Sequence, residues 1–392
     1  MILFPGEQLE IKDKNSDSKQ LSDEDINAKY ARGEIRIITE QARYPLPSIV
    51  KMVEDENYKL DPEFQRRRRW DAQKQSRLIE SFIMNVPVPP IFFYEAKLSY
   101  YEVMDGLQRL TAIYEFYKDK LVLDGLEEWS ELNGRKYTEL PEQVKRGIDR
   151  RYLSSIILLH ETAKDEDDAK KLKQMVFERI NSGGDKLEAQ ESRNAIYNGR
   201  LNQLCIKLSR NKYLCRMWNI PEPTEEEVKI GIISEKLQND KKYKKMEDVE
   251  LVLRFFAYRQ RIDLQKSTLE NYLSTYLQRG NTSFSETTIN NLKTLFEKTI
   301  SLVYQVFREK AFRKKQNRPL IAIYDPMMYA FSQYTDISDK VLRHSEKLRK
   351  GVKKIYNDYP EKFKGDAKGL KDVRERNELF EKLISDTLGS ES

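Results

Sequence analysis

The sequence predicts an α+β chain: a small mixed α/β domain, followed by a mostly α-helical one. Three observations carry this. Apolar runs of strand length, at 91–94, 100–104 and 155–160, all fall within the first 160 residues. Beyond them, apolar residues recur almost throughout at helical spacing. A chain of 392 residues is also long for one hydrophobic core, so two units are expected. The pattern places a flexible arm at 1–34, the α/β domain at 35–163 and the helical domain at 164–392.

Each element has a local reason. The arm is polar and irregular, with Ile2-Leu3-Phe4 its apolar exception. Pro45 and Pro47 suit the start of a helix over 46–54, and 58–60 reads as a short strand. Asp71 is placed to cap a helix over 72–85, with Leu78, Ile79, Phe82 and Ile83 on its buried face. The prolines of 86–90 end that helix and lead into the strand at 91–94. A short connection at 95–99 predicts a hairpin with the strand 100–104. A helix to Tyr117, a strand at 121–123, a helix over 141–150 and a strand over 155–160 complete the α/β pattern. Helices are expected at 165–180 and 188–198, separated by the stop signal Asn181-Ser182-Gly183-Gly184.

Composition narrows the function. Hydrophobic residues make up 39% of the chain, enough for a core despite 34% charged residues. A net charge of +6 makes an anionic partner plausible without identifying it. The two cysteines, Cys205 and Cys215, both fall in helix-like segments, which argues against a disulfide framework and fits a reducing cytoplasm. No apolar run reaches membrane-spanning length and no signal-peptide pattern opens the chain, so a cytoplasmic protein without membrane contact is expected. Only His160 and His344 are present, which leaves no His-rich metal cluster, no His-Asn-His nuclease arrangement and little basis for a Ser-His-Asp hydrolase. No Gly-x-x-x-x-Gly-Lys-Ser/Thr loop occurs, excluding a P-loop NTPase.

The stretch Asp105-Gly106-Leu107-Gln108-Arg109 is the sharpest chemical signal. An apolar strand ends in Asp-Gly and a helix begins at once, so free amides and the positive end of a helix dipole meet at one point. Gly106 tolerates the tight turn, and Gln108 and Arg109 bring further donors, Arg109 with a planar fork suited to phosphate. Arg66 to Arg69 form a dense positive run between Phe64 and Trp70; an extended backbone would turn Gln65, Arg67 and Arg69 one way and Arg66 and Arg68 the other. Glu95 and Lys97 share the Glu-x-Lys spacing of metal-dependent nucleases, a pattern common by chance in a sequence this rich in both residues. Downstream, Lys340, Arg343, Lys347, Lys350 and Lys354 are spaced for one helix face opposite Val341, Leu348, Val352 and Ile355. A second basic group comprises Arg308, Lys310, Arg313, Lys314, Lys315 and Arg318. Together these make nucleic-acid contact a fair expectation, although each could be a solvated face.

In order along the chain, Phe64-Gln65-Arg66, Trp70, Leu78-Ile79-Glu80-Ser81, Pro87-Val88-Pro89-Pro90-Ile91 and the run Met104 to Thr111 resemble the N-terminal domain family of GmrSD-type modification-dependent restriction proteins. That family lies within the ParB/sulfiredoxin-like superfamily. Val176 to Gly184 and Asp248 to Phe256 extend the resemblance to roughly residues 43 to 260. It implies a bacterial anti-phage protein that binds and hydrolyses a nucleoside triphosphate (GTP, ATP or CTP), with Mg²⁺ as companion ion, to control action on foreign DNA. The alternatives are a DNA-binding adaptor without turnover and a metal-dependent nuclease using the α/β pocket. Residue by residue, the resemblance implies catalytic roles for Asp105, Arg109 and Arg66. It implies phosphate contacts from Gln65, Arg66, Gly106, Gln108, Arg109, Asn181 and Ser182. Where the family signature has its first glutamine, this chain has Leu107. Many relatives carry a second domain with a His-Asn-His signature that two histidines cannot supply, so a partner nuclease or defence subunit is implied. A homo-oligomer stays open.

Overall fold

The computed structural model describes residues 3–9, 22–31, 37–60, 67, 70–162, 166–180, 188–260, 268–314, 318–363 and 370–389. The chain divides into two compact units, one of residues 17–187 and one that joins 1–16 to 188–392.

The first unit holds a five-stranded mixed sheet. Its elements are α1 (Asp23–Ala31), β1 (Thr39–Pro45), α2 (Ile49–Glu54), β2 (Tyr58–Lys59), α3 (Ala72–Met84), β3 (Ile91–Lys97), β4 (Tyr100–Asp105), α4 (Leu107–Tyr117), α5 (Glu142–Asp149), β5 (Tyr152–Leu158) and α6 (Glu166–Ile180). The strand order is β1-β5-β3-β4-β2. β3 and β4 form the expected antiparallel hairpin, while β3 runs parallel to β5, with Ile91 opposite Ser155. The central strand β3 buries Ile91, Phe93 and Tyr94, as a strand covered on both faces must. Asp71 caps α3 by accepting from the Lys74 amide at 2.8 Å. Leu78, Ile79 and Phe82 on α3 pack with Leu110, Ile113 and Phe116 on α4 in one apolar core.

Two local expectations change. β1 is a strand that sequence pattern does not reveal: its polar residues Glu40, Gln41 and Arg43 are exposed on an edge of the sheet. In contrast, 121–123 is not a strand. Leu121 and Leu123 are buried by a loop instead, with the Leu123 amide donating to the Arg135 carbonyl at 2.9 Å. The apolar residues were visible there, but isolated hydrogen bonds to the end of α4 and to the turn at 134–135, rather than a ladder, satisfy the backbone.

The second unit is helical: α7 (Ala189–Ile196), α8 (Arg200–Ser209), α9 (Lys212–Trp218), three short helical segments (Glu225–Ile230, Glu235–Gln238 and Lys241–Lys244), α10 (Glu247–Ala257), α11 (Leu269–Ser283), α12 (Glu286–Phe307), α13 (Ile321–Phe331), α14 (Ser338–Arg343), α15 (Ser345–Asp358) and α16 (Leu370–Gly389). The N-terminal residues 3–9 belong to this unit. Glu7, fully buried, accepts from Arg259 at 2.6 and 2.8 Å, and the Gln260 side chain donates to the Glu7 carbonyl at 2.8 Å. α15 and α16 pack against each other at Gly351, where a Cβ would run into Leu383 Cδ1, so a larger residue there would require that side chain to shift. Cys205 and Cys215 are both buried and free.

Candidate functional site

The turn from β4 into α4 is built around Gly106. Its φ of +95° lies in the left-handed region that L side chains rarely adopt, and an added Cβ would also collide with Ile91 Cγ2. Gly106, the N-cap, has no side chain with which to cap the first turn of α4. The dipole at that end favours a negative partner.

Arg109 stands in this first turn. Its Nη2 donates to Asp105 Oδ2 at 2.7 Å and to the Pro90 carbonyl at 3.1 Å. The pair is i,i+4 across the turn, with the arginine side chain 14% and the aspartate 35% exposed. Arg109 Nε is buried and has no hydrogen-bond partner among the described residues. Thus the guanidinium is aimed by two acceptors while part of its fork is unsatisfied. Gln108 Oε1 accepts the Trp70 amide at 3.0 Å, which ties Trp70, next in sequence to the arginine run, to the start of α4. The Lys74 ammonium lies 5.2 Å from the Trp70 ring centre and adds to the positive charge beside it. Leu107 is 7% exposed and packs in the core, so the position that carries glutamine in the family signature faces inward here. Of the arginine run, Arg67 is described and is 5% exposed. Gln65, Arg66, Arg68 and Arg69 lie outside the described residues, as do Asn181 and Ser182. The structure therefore brings together Asp105, Gly106, Gln108 and Arg109.

The opposite end of the β3–β4 pair carries different chemistry. Phe92 faces Asp105, whereas Glu95 faces Tyr101 near the hairpin, three residues or about 10 Å further along the strand. Glu95 is buried; its Oε1 accepts the Ser99 amide at 2.9 Å and its Oε2 lies 3.3 Å from His160 Nδ1. With Glu161 the three ligand atoms lie within 4.8 Å of one another, close enough to share one cation. Sequence spacing could not find this group, because Glu95 and His160 meet only through parallel pairing of β3 with β5. Lys97 is exposed. On β4, Glu102 pairs with Lys173 of α6 and with Lys59 at 3.7 Å. Burial opposes the Glu102 carboxylate, but the two lysines outweigh it and hold its pKa below the ordinary value.

In the helical unit, the five cations expected on one helix face are divided between two helices. The chain breaks at His344, between α14 and α15, where Ser345 Oγ bonds back to the Leu342 carbonyl at 2.6 Å. Lys340 and Arg343 lie on α14; Lys347, Lys350 and Lys354 lie on α15 and are exposed, while Val341, Leu348, Val352 and Ile355 are buried as expected. Lys350 pairs with Glu346 at 2.8 Å. In the other basic group, Arg313 donates to Asn219 Oδ1 at 2.6 Å, and Arg308 lies 5.7 Å from the Tyr304 ring centre. Lys315 lies outside the described residues. Among the described residues no helix is long and apolar enough to cross a membrane.

Comparison with known proteins agrees with this geometry in one respect. Residues 49–198 match the family model described as the GmrSD restriction endonuclease, N-terminal domain. No curated protein and no solved structure matches the chain. The matched segment contains the strand-to-helix turn at Gly106 together with Asp105, Gln108 and Arg109, and the chain accordingly carries a GmrSD-type N-terminal domain over residues 49–198.

Proposed function

We propose that this restriction-type protein binds the phosphates of a nucleoside triphosphate at the start of α4, and hydrolyses it to control action on foreign DNA. The observation that carries the reading is Arg109, held at a helix start whose N-cap is Gly106 and engaged, among the described residues, through Nη2 alone. A phosphate oxygen there would complete the guanidinium and accept from the helix amides together. Phosphoryl transfer depends on alignment and charge stabilisation more than on covalent chemistry, so this donor set suits it. Asp105 keeps Arg109 oriented through Oδ2 and offers Oδ1 to a cation or a water. One carboxylate plus substrate phosphates is a sufficient protein contribution for Mg²⁺, which when bound would neutralise phosphate charge. In this reading Gln65, Arg66, Asn181 and Ser182 complete the phosphate site, and GTP, ATP and CTP are all candidates.

Titration calorimetry of the purified chain with each of the four triphosphates and Mg²⁺ tests the proposal. Arg109→Ala should weaken binding by about 10- to 100-fold, as expected when a charge-assisted hydrogen bond is removed. Unaltered nucleotide affinity in that variant removes the central claim.

A second reading, a DNA-binding adaptor without turnover, is favoured by the exposed lysines Lys347, Lys350 and Lys354 along α15. It requires no triphosphate hydrolysis and an affinity for duplex DNA that falls steeply with salt. A nuclease reading would rest on Glu95, His160 and Glu161 rather than on the turn at Gly106, and metal-dependent nicking of plasmid that disappears in Glu95→Gln would support it.

A further inference from the structure

We propose that Glu95, His160 and Glu161 form a binding site for one Zn²⁺ ion at the hairpin end of β3, away from the turn at Gly106. The ligands come from two places in the chain. One residue beyond the last registered pair of β3 with β5, Tyr94 with Leu158, Glu95 meets the short helical turn His160–Thr162 that follows β5.

The spacing of the ligand atoms is that of a metal shell. His160 Nδ1 lies 3.3 Å from Glu95 Oε2 and 3.8 Å from Glu161 Oε2. A charge-assisted N–H···O bond is shorter, about 2.7–2.9 Å. By contrast, ligands at about 2.0–2.1 Å from a tetrahedral zinc stand about 3.3–3.4 Å from one another. All three ligand atoms lie within 4.8 Å of each other, and Glu161 is exposed and free to rotate until the shell closes.

Glu95 is held as a metal ligand should be. Its side chain is buried, and among the described residues it has no lysine or arginine in ion-pair range. Lys59 and Lys173 serve Glu102 instead. Glu102 lies across from Tyr94, so strand alternation turns it to the face opposite Glu95. A buried carboxylate is paired or coordinates a metal. Glu95 Oε1 accepts the amide of Ser99 at 2.9 Å, at a hairpin position of positive φ, +59°. That bond orients the carboxylate and leaves Oε2 for the ion.

The donor set selects the metal. An imidazole beside two carboxylates suits Zn²⁺, whereas Mg²⁺ and Ca²⁺ take oxygen ligands. His160 is half-buried and Glu161 exposed, so the site is open to solvent on that side. Three protein ligands with the fourth position left to water are the pattern of catalytic zinc sites rather than closed structural ones.

Equilibrium dialysis of the untagged full-length chain against Zn²⁺ should show one ion per chain, retained in millimolar Mg²⁺. Glu161→Gln alters an exposed side chain and leaves the fold intact. It should weaken Zn²⁺ binding at least about tenfold, since even the groups behind metal ligands are worth about 10- to 100-fold. Glu95→Gln and His160→Asn should weaken it further. Co²⁺ in place of Zn²⁺ should give the intense visible absorption of a four-coordinate ion, and Glu161→Gln should lose it. Absence of Zn²⁺ binding, displacement by Mg²⁺, or an affinity unchanged in Glu161→Gln would each overturn the proposal and leave an ordinary pair of Glu95 with His160. The site is independent of the phosphate reading, so Arg109→Ala should bind Zn²⁺ as the native chain does. Loss of Zn²⁺ in that variant would place the ion at the turn and overturn the assignment to Glu95.

Discussion

Arg109 and Arg254 each face a carboxylate from within a helix, one in the α/β unit and one in the helical unit. Arg254 is almost wholly buried and meets Asp325 through both Nε, at 3.1 Å, and Nη2, at 2.5 Å; its Nη1 lies 3.6 Å from Glu250, and its plane lies 5.2 Å from the Tyr258 ring centre. Arg109 meets Asp105 through Nη2 alone, and its Nε has no partner among the described residues. An arginine whose fork is filled by its own protein serves the fold, whereas one that is aimed but incompletely filled, at a helix start, retains capacity for a ligand. The sequence alone could not draw this distinction, since both residues fall within stretches that resemble the same family.

The largest effect should come from breaking the filled pair. Asp325→Ala leaves the Arg254 charge buried beside an incomplete partner and should cost about 3–5 kcal/mol of stability. Urea unfolding followed by circular dichroism measures it. A decrease below about 1 kcal/mol would mean that Arg254 also is less committed to the fold than its geometry indicates. Next, Gly106→Ala forces a side chain into positive φ and against Ile91, and should destabilise the α/β unit by about 1–3 kcal/mol. It should also weaken nucleotide binding more than its destabilisation explains. If binding at temperatures well below unfolding equals that of the native chain, the turn does not shape the phosphate site.

A smaller effect concerns the tie between α6 and the sheet. The folded-state pKa of Glu102 is lowered, because Lys173 and Lys59 outweigh its burial. Its contribution to stability is therefore complete above the pKa of an unfolded glutamate, and is lost as pH falls through the lower folded value. Acidification from pH 7 to below pH 4 should loosen α6, and Lys173→Met should remove about 1 kcal/mol at pH 7 while flattening that pH dependence. Hydrogen exchange over residues 166–180 reads it out. Protection with the same pH profile in both proteins would show that α6 is held by other interactions.

The elements around the turn were legible because each had an independent local signal. Asp71 capped α3, the prolines of 86–90 closed it, and Asp105-Gly106 marked the passage from strand to helix. What sequence did not reveal depended on distant partners. β1 has little apolar alternation and exists because β5 offers it an edge. Leu121 and Leu123 have strand-like composition but find burial in a loop. The unbroken helix suggested by the lysine spacing fails at His344, where a side-chain-to-backbone bond competes with helix continuation. Likewise the group of Glu95, His160 and Glu161 depends on the parallel pairing of β3 with β5.

The smallest effect on stability is expected on the solvent face of α15, and it separates fold from function most cleanly. Lys347 and Lys354 are exposed, and the neighbouring pair of Lys350 with Glu346 is the exposed counterpart of Arg254 with Asp325. Pairs of that kind contribute at most about 1 kcal/mol, so Lys347→Glu combined with Lys354→Glu should move stability by less than about 0.5 kcal/mol. If α15 grips a nucleic-acid backbone, the same double variant should weaken duplex DNA binding strongly. It should also make the plot of log affinity against log salt shallower by about one for each phosphate that the variant no longer neutralises. An unchanged slope would make the lysines of α15 a solvated face. Triphosphate binding at Arg109 should be untouched in either case, because the charges altered belong to a different unit of the chain.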